Sequence, residues 1–305
     1  MSKLVLIDGN AILHRAYHAL PPLTTKRGEP INAVYGLISM LLRVIQDLKP
    51  THIAVCFDRK EPTFRHEAFK EYQAQRPTMD KELSGQFEKA KETITVMNIP
   101  IFEKAGYEAD DLLGSIAEQG QRAKDKEQRI DETIIVTGDR DILQLVNAKV
   151  KVFLPVRGLS EGKLFGVEEV KEKMGVDPNQ IIDYKALVGD QSDNYKGVPG
   201  IGHKTAIKLI GEYGSFEKIY KNLDSVSKQT KEKLEKGKTD GEISLKLAGI
   251  VRDVPLDADF GKMAKWCVDS HEVLDLFADF GFRTLTKRVK EVGKSIVSEN
   301  QMKLI

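Results

Sequence analysis

The sequence predicts an α/β fold, in which a mostly parallel central sheet is flanked by helices and followed by a smaller helical region. Two features predict it. In the first half of the chain, short runs rich in Val and Ile alternate with segments of helical periodicity, which is typical of β-α-β units with right-handed crossovers. After about Val167 the β signal disappears, and short helical segments punctuated by glycine follow. We therefore expect a core at residues 1–174, a helical region at 175–290 and a tail at 291–305.

The elements of the core follow from apolar periodicity. Five apolar runs predict strands, near Lys3 to Ile7, His52 to Phe57, Pro100 to Glu103, Thr133 to Thr137 and Val150 to Pro155. Between the strands, apolar residues spaced three and four apart predict amphipathic helices. These helices are expected at Asn32 to Leu48, Leu83 to Met97 and Glu108 to Lys124.

The segment from Arg59 to Glu82 interrupts this alternation directly after a strand. It mixes charged residues with Pro62 and Pro77 and contains few aliphatic residues. Ordinary connections between a strand and a helix take about two to six residues, so this one is too long. It predicts a functional insertion or lid, and an unremarkable mobile loop is the alternative.

Composition and charge favour a folded protein with an anionic partner. The chain has 305 residues, of which 41% are hydrophobic, enough for a sizeable core. Its 47 basic and 46 acidic residues nearly cancel. Nine of the acids fall in the motifs described below, so the remainder carries about ten more basic than acidic residues, a balance that suits nucleic acid and metal. Excess lysine also serves solubility, so composition alone does not decide.

The two cysteines and the N-terminus bear on the compartment. Cys56 lies in an apolar run and Cys267 lies far away in sequence beside Trp266, so a disulfide framework is not expected. The apolar run at the N-terminus ends at Asp8, too short for a signal peptide or a membrane span. We therefore expect a cytoplasmic protein that is not associated with a membrane.

Nine acidic residues form the strongest functional signal. Asp8, Asp58 and Asp139 come where predicted strands stop, and the carboxyl ends of parallel strands share one crevice. The other six occur close together in the motifs EADD, GDRD and GDQSD, as Glu108, Asp110, Asp111, Asp141, Asp190 and Asp193. Any one of them could simply cap a helix, a role worth about 1 kcal/mol.

As a set, these acids predict a metal site. Each pair of anions about 5 Å apart costs roughly 3 kcal/mol at an effective dielectric constant near 20, so bound cations or protons must offset the repulsion. Oxygen ligands favour Mg²⁺ or Mn²⁺, and no His or Cys group has zinc spacing. Two such ions suit phosphodiester hydrolysis with water as the nucleophile.

The segment GVPGIGHKTAIKLI predicts a helix-hairpin-helix over residues 197–213. Its glycines permit turns of positive φ, and the following helix would present backbone N–H groups to a phosphate. The residues expected to meet the DNA backbone are Gly197, Gly200, Gly202, Lys204 and Thr205. Such contacts confer no sequence specificity. A P-loop is the alternative, but His203 stands where its lysine must be, and the segment follows a helix.

Five motifs together resemble one family. LIDGNAILHRAYHAL, FDRKEPTFRHEAFKEYQAQRP, GYEADDLLG, TGDRDILQLV and LVGDQSDNYKGVPGIGHKTA occur in this order. They closely resemble the 5′ nuclease domain at the N-terminus of bacterial DNA polymerase I and the wider flap endonuclease family. The resemblance implies a PIN-like or resolvase-like core with a helical arch at about residues 59–98. No polymerase region follows, so we expect a free-standing form or an isolated domain.

The resemblance also implies cofactors and substrates. The first metal ion would be held or oriented by Asp8, Asp58, Glu108, Asp110 and Asp111, together with Asp139 and Asp141. Asp190 and Asp193 would complete the second site. The ions would be two Mg²⁺ or Mn²⁺, and a K⁺ ion would lie at the hairpin carbonyls. The implied substrates are DNA with a 5′ flap, a 5′ overhang or a nick, and RNA–DNA hybrids, during primer or flap removal in replication and in repair. A monomer is expected.

The family also assigns roles to side chains in and near the arch. Arg15, Arg65 and Arg76 would contact phosphates, for which the planar guanidinium is suited. Tyr72 would stack on a base next to the scissile bond. Lys60 and Gln73 would be further DNA-binding positions.

The chain departs from the family pattern at two places. The arch usually reads Tyr-Lys-x-x-Arg, whereas this chain has Gln73 in place of the lysine. Loss of one such electrostatic donor costs about 10² to 10³ in rate. The alternatives are thus a slow nuclease and a flap-binding or junction-binding protein with little turnover; an RNA-cleaving enzyme on a related fold is a third. Tyr195 and Lys196 replace the usual Ile-Pro before the hairpin.

The last five residues, Gln301 to Ile305, read QMKLI. They resemble the bacterial sliding-clamp peptide, in which Gln and Leu are separated by a hydrophobic and a variable residue. The sequence therefore predicts a clamp partner, with a frayed terminus as the alternative.

Overall fold

The computed structural model describes residues 1–123, 125, 129–157 and 161–302, and its core is a mixed sheet of six strands. The strands are β1 (Lys3–Asp8), β2 (His52–Cys56), β3 (Ile101–Phe102), β4 (Glu132–Val136), β5 (Val150–Arg157) and β6 (Glu161–Phe165). Their order is β3-β2-β1-β4-β5-β6. The first five strands run parallel and β6 pairs antiparallel with β5, so the predicted α/β fold is confirmed.

Helices flank the sheet and make up the second half of the chain. In the first half they are α1 (Gly9–Ala19), α2 (Asn32–Leu48), α3 (Phe64–Ala68), α4 (Lys81–Val96), α5 (Ala109–Arg122) and α6 (Val167–Met174). In the second half they are α7 (Ile181–Val188), α8 (His203–Tyr213), α9 (Phe216–Lys221), α10 (Lys228–Lys236), α11 (Lys238–Ala248), α12 (Phe260–Met263), α13 (His271–Phe280) and α14 (Arg283–Met302). Among the residues that the structure describes, no helix has both the length and the apolar character that crossing a membrane requires.

Strand β1 shows how the sheet is buried on both faces. Successive side chains of a strand point to opposite faces. Leu4 and Leu6 accordingly join a buried cluster with α5 and the helical region, whereas Val5 and Ile7 join a second cluster with α2 and α4. Burial on both faces is what a parallel sheet requires, and it explains the near-continuous apolar runs.

The last two helices return to the core. Phe277, Phe280 and Phe282 pack into the same buried cluster as α2. Arg288 also donates to the Ser39 hydroxyl of α2, at 2.6 Å. Helix α14 continues through the predicted tail as far as Met302. Residues 303–305 of the clamp-like peptide lie outside the described residues, so that interaction stays a prediction.

The five predicted strands and three predicted helices form within a few residues of their expected bounds. Strand β6 was not predicted, because EGKLF is polar and contains glycine. Its formation depends on tertiary contact: a Cβ on Gly162 would lie 2.1 Å from the ring of Phe153. The glycine therefore lets the Phe153 ring lie against the strand, and pairing with β5 outweighs a weak local propensity.

Candidate metal-dependent active site

The carboxyl ends of the parallel strands open onto two adjoining cavities. The first, of about 670 Å³, is lined by seven of the nine predicted acids: Asp8, Asp58, Glu108, Asp110, Asp139, Asp141 and Asp193. The second, of about 1180 Å³, is lined by Asp139, Asp141 and Asp190. Because Asp139 and Asp141 line both, the two cavities share one wall. We expected the nine acids, which are distant in sequence, to meet at the carboxyl ends of the strands. In the structure eight of the nine line these two cavities.

Asp8 is held rigidly at the end of β1. It caps α1 by accepting from the Ala11 backbone N–H at 2.9 Å, and it accepts from the Thr137 hydroxyl at 2.6 Å. Thr137 Oγ1 in turn accepts from the Asp139 backbone N–H at 3.0 Å. Thr137, which the sequence analysis did not single out, thus fixes Asp8 and Asp139 relative to each other across neighbouring strands.

The motif EADD brings two carboxylates to the first cavity at the start of α5. The Asp58 carboxylate accepts from the Ala109 backbone N–H at 2.7 Å, which places the end of β2 against the helix N-terminus. Glu108 and Asp110 both line the cavity. Glu108 accepts hydrogen bonds from the Thr63 hydroxyl at 3.3 Å and from the Tyr72 hydroxyl at 3.2 Å. The arch residues therefore reach the acidic site directly.

Asp111 has a different place from the other eight acids. It is fully buried and lines neither cavity. Both of its oxygens accept from Arg65, each at 2.8 Å, and it also accepts from the backbone N–H groups of Glu108 and Val251. With its lone pairs taken in this way, Asp111 is placed to orient Glu108, and the structure does not favour its expected role as a metal ligand.

Arg65 differs from expectation for the same reason. Its side chain is 3% exposed, and Nε and Nη2 also donate to the carbonyls of Leu247 and Gly249, at 3.0 and 2.8 Å. All three nitrogens are bonded within the protein. A phosphate contact by Arg65 would require breaking a buried, bidentate ion pair, so the geometry favours a structural role.

The carboxylates of Asp141, Asp190 and Asp193 form the second cluster. One oxygen from each lies within 4.8 Å of the others. Asp190 is fixed by the backbone N–H and the hydroxyl of Ser192, at 2.8 and 2.5 Å. These are three hard oxygen donors, held by a turn, and in the described part of the chain no His or Cys joins them. The donor set fits a divalent cation such as Mg²⁺ or Mn²⁺.

Lys185 supplies an internal positive charge to this cluster. Its side chain is buried in α7, and its ammonium donates to both Asp141 and Asp190. The sequence analysis did not identify it, although a signal existed: within the apolar stretch IIDYKALV, Lys185 is the only basic residue. Because a lysine is rarely buried without a partner, a lysine inside such a run indicates a nearby acid.

Burial and mutual repulsion favour the protonated form of several of these carboxylates. Burial, as the largest cause, raises the pKa of Asp8, of Glu108 and of Asp141 to about 7 each. It raises the pKa of Asp110 well above the ordinary value. Nearby carboxylates act in the same direction, and Lys185 opposes them at Asp141. Strongly shifted acids in one cleft are characteristic of functional sites.

Residues of the segment 59–82, which belongs to the expected arch, line the first cavity. Tyr72 is buried, and its hydroxyl donates to Glu108 and, at 3.4 Å, to Asp193. In this conformation the Tyr72 ring is not available to stack on a base. Arg76 donates to Asp193 at 2.6 Å while its side chain stays 53% exposed, so it faces both the acids and solvent. Gln73 lies on the cavity wall with φ of 55°.

The remaining predicted DNA contacts lie around this site. Lys60 is exposed on the wall of the first cavity. Arg15 is half-buried on α1, one residue after His14, which lines the cavity.

The hairpin has the backbone geometry that its glycines suggested. Gly197 and Gly200 have φ of 65° and 84°. A Cβ on Gly197 would lie 2.3 Å from the Gly189 backbone nitrogen, so only glycine fits between α7 and α8. Helix α8 begins after Gly202, with Lys204 exposed and Thr205 half-buried in its first turn. It follows helix α7, which agrees with a helix-hairpin-helix and not with a P-loop.

Solved structures share this fold. The T5 D15 protein, co-crystallised with metal ions, matches with a TM-score of 0.65 at 23% identity over 96% of this chain and 99% of that chain. The catalytic core of Rad2 in complex with DNA substrate matches with a TM-score of 0.57 at 14% identity, over 95% of this chain and 90% of that one. At these identities the likeness is one of fold.

Relatives and family models extend the comparison to sequence. DNA polymerase I of Bacillus subtilis (strain 168) is 41% identical over 290 residues, which are 95% of this chain and 32% of that polymerase. DNA polymerase I of Caldicellulosiruptor bescii is 43% identical over 289 residues, 94% of this chain and 33% of that polymerase. The chain thus spans about a third of the length of these relatives.

Residues 3–175 match the model of the 5′-3′ exonuclease N-terminal resolvase-like domain, and residues 176–270 match that of the 5′-3′ exonuclease C-terminal SAM fold. The chain therefore belongs to the 5′-3′ exonuclease family.

Proposed function

We propose that this chain is a divalent-cation-dependent 5′ nuclease that hydrolyses phosphodiester bonds at 5′ flaps and 5′ ends of DNA. The observation that carries the proposal is the pair of acidic cavities with a shared wall at Asp139 and Asp141. Two-metal hydrolysis would place one cation in each cavity, with Asp139 and Asp141 between the two cations. Divalent cations would activate water and stabilise the charge that develops on the phosphate and the leaving oxygen.

The protein's own groups would hold this site in shape. Asp8, Asp58, Glu108 and Asp110 would provide the first set of oxygens, and Asp141, Asp190 and Asp193 the second, with Asp139 between them. Arg65 and Asp111 would act as positioning residues, because they fix the start of α5 from below. Arg76 is an exposed cation paired with one of the acids, Asp193, and would contact the phosphate next to the scissile bond.

The DNA-binding surface would be the hairpin together with the arch. No side chain of the described residues caps the N-terminus of α8, and the partial positive charge of the backbone N–H groups there suits a phosphate. Gly200 and Gly202 permit a close approach of the backbone, and Lys204 adds a charge beside it. Since such contacts read phosphates and not bases, structure selectivity without sequence selectivity is expected.

Several finer properties are part of the proposal. Mg²⁺ and Mn²⁺ both suit the oxygen donors, and a K⁺ ion at the hairpin carbonyls is carried over from the family resemblance. The proposed substrates include 5′ overhangs, nicks and RNA–DNA hybrids, processed in replication and repair. We further propose that the protein is a monomer with a cytoplasmic, nucleoid-associated location. Clamp binding through Gln301 to Ile305 is the last part of the proposal.

One observation favours a second candidate, a flap-binding or junction-binding protein with little turnover. Gln73 occupies the arch position where the family usually has lysine, and in this structure it lines the cavity without adding a charge. The binding surface would be intact while the electrostatic stabilisation of the transition state would be weaker.

A flap-cleavage assay with and without Mg²⁺ separates the two candidates. A nuclease cleaves a 5′-flap substrate only with the cation, and the Asp139→Asn variant binds the flap but does not cleave it. A binding protein retains the flap without cleavage under both conditions. Cleavage that persists in Asp139→Asn, or that is competed away by RNA and not by DNA, would contradict the proposal.

A further inference from the structure

Tyr195 carries a buried hydroxyl that the fold leaves without a hydrogen bond. The residue is 4% exposed, and Tyr195 Oη has no hydrogen-bond partner within the described part of the chain. The other such side-chain atom, Thr133 Oγ1, lies near the start of β4, away from the carboxyl ends of the strands. A buried hydroxyl without a partner forfeits its interaction with water, so such an atom needs an explanation.

The surroundings of Tyr195 point to the second acidic cluster. Asp190 and Tyr195 face each other across an antiparallel β-bridge, exchanging backbone hydrogen bonds of 2.8 and 3.0 Å. Directly opposed residues in such a pair project to the same side, with Cβ atoms about 4.5 to 5.5 Å apart. The Tyr195 ring therefore lies on the side of the Asp190 carboxylate, and both residues line the second cavity.

The ring itself is held in the wall between the two cavities. It packs in one buried cluster with Tyr72, Leu247 and Ala248, and these three residues line the first cavity. Packing of this kind fixes the direction of the hydroxyl without satisfying it. A phenol keeps its proton at neutral pH and so acts as a donor there.

We propose that Tyr195 is a positioning residue for the second cation: its hydroxyl donates a hydrogen bond to a water molecule that completes the coordination of a divalent ion held by Asp141, Asp190 and Asp193. The inference rests on the proposed function, because it requires that cluster to hold a cation. Mg²⁺ and Mn²⁺ bound by oxygen ligands retain several water molecules. Each of these water molecules needs hydrogen-bond partners in the protein. Partners of this outer kind typically contribute 10-fold to 100-fold to metal affinity.

Titration with Mn²⁺, followed by calorimetry and by electron paramagnetic resonance of the free ion, tests the proposal in the full chain. The unaltered protein is expected to bind two Mn²⁺ ions. Tyr195→Phe removes only the hydroxyl, so one of the two binding steps should weaken by about tenfold while the other keeps its affinity. Tyr220→Phe is the matched control, because its hydroxyl donates to the Leu234 carbonyl at 2.8 Å, away from the acids. This control should bind both ions as the unaltered protein does.

Thermal unfolding gives a second readout that a purely structural role would not produce. In the presence of a chelator, Tyr195→Phe should unfold at the same temperature or higher, since it removes an unsatisfied group. With Mn²⁺, the gain in unfolding temperature should be smaller than for the unaltered protein. If Tyr195→Phe binds both Mn²⁺ ions with the affinities of the unaltered protein, the role of Tyr195 is overturned, while the proposed function stands. Failure of the unaltered protein to bind Mn²⁺ would instead overturn the proposed function.

Discussion

Arg65 and Asp111 form a bidentate ion pair in the interior, with both N–H···O distances at 2.8 Å and with the side chains only 3% and 0% exposed. The pair joins the arch segment, which contains Arg65, to the start of α5, which contains Asp111. It also holds the end of α11 and the segment after it, through the Leu247 and Gly249 carbonyls and the Val251 N–H. Three separate parts of the chain thus converge on one ion pair directly beneath the acidic cavity.

Replacing Arg65 by Met should therefore destabilise the fold. It leaves the Asp111 carboxylate buried without its partner, and breaking a buried pair in this way costs about 3 to 5 kcal/mol. Arg65→Lys should recover only part of the loss, because an ammonium cannot bridge both oxygens and the two carbonyls. Urea unfolding monitored by circular dichroism measures the free energy of unfolding of each variant.

Arg76→Met is the matched control for that experiment. Arg76 is also an arch arginine paired with a carboxylate, but its side chain is 53% exposed, so its loss should change the free energy of unfolding by less than about 1 kcal/mol. Its effect should fall on flap cleavage instead. Equal destabilisation by the two substitutions would show that the Arg65–Asp111 pair has no special structural role.

The difference between these two arginines shows what the sequence could predict. The strand ends that carry Asp8, Asp58 and Asp139 follow from apolar periodicity and from the geometry of parallel sheets, so their convergence was predictable. The burial of Arg65 was not, because its partners come from residues 111 and 247–249, which no local pattern connects to it. An arginine in a motif does not reveal whether its donors face solvent or the interior.

The roles of Lys185 and Thr137 could not be predicted from local sequence either. Both are fixed against predicted acids, through contacts that depend on the docking of α7 and on the pairing of β1 with β4. Strand β6 also lay beyond local signals, since its pairing depends on how Phe153 packs over Gly162. Elements with strong periodicity were thus predictable, whereas partners made by tertiary packing were not.

Gln73→Lys should make the enzyme faster. Gln73 lies on the wall of the first cavity, with its backbone N–H bonded to the Asp193 carbonyl at 3.1 Å, so a lysine there would reach toward the reacting phosphate. Loss of one such donor costs about 10² to 10³ in rate, so adding it can raise the rate by up to that factor. Single-turnover cleavage of a 5′-flap substrate at saturating Mg²⁺ measures the effect. Gln75→Lys, two residues along, is the control for added charge, and an equal or lower rate for Gln73→Lys would refute the prediction.

The stability of the metal-free protein should fall as the pH rises toward neutrality and beyond. Burial raises the pKa of Asp8 from 3.8 to about 7, and that of Asp141 from 3.8 to about 7. The folded state therefore binds these protons more tightly than the unfolded state. Their contribution is complete below the unfolded pKa of about 4 and is lost as the pH rises through about 7. Thermal unfolding in the presence of a chelator, from about pH 5 to about pH 8, checks the direction.

Divalent cations should reverse this trend, because they replace the protons. The increase in unfolding temperature on adding Mg²⁺ should thus be larger at about pH 8 than at about pH 5. In the double variant Asp8→Asn, Asp141→Asn the pH dependence should become shallower, since amides do not titrate in this range. The slope that remains should come from Glu108 and Asp110, whose pKa values burial also raises. A pH profile that keeps its full slope in that variant would assign the effect to other groups.

Binding to flap DNA should weaken steeply with salt, because the proposed contacts are with phosphates. Affinity is expected to fall by about 10³ or more between about 50 and 200 mM salt if six or more phosphates are neutralised. Lys204→Ala removes one exposed charge from the first turn of α8 and should reduce the slope of log affinity against log salt by about one. Lys3→Ala is the control, since Lys3 pairs with Glu132 at the amino ends of the strands and should leave the slope unchanged. Fluorescence anisotropy with a labelled flap at several salt concentrations gives the slopes. A flat response for the unaltered protein would show that the hairpin and arch do not bind the backbone electrostatically.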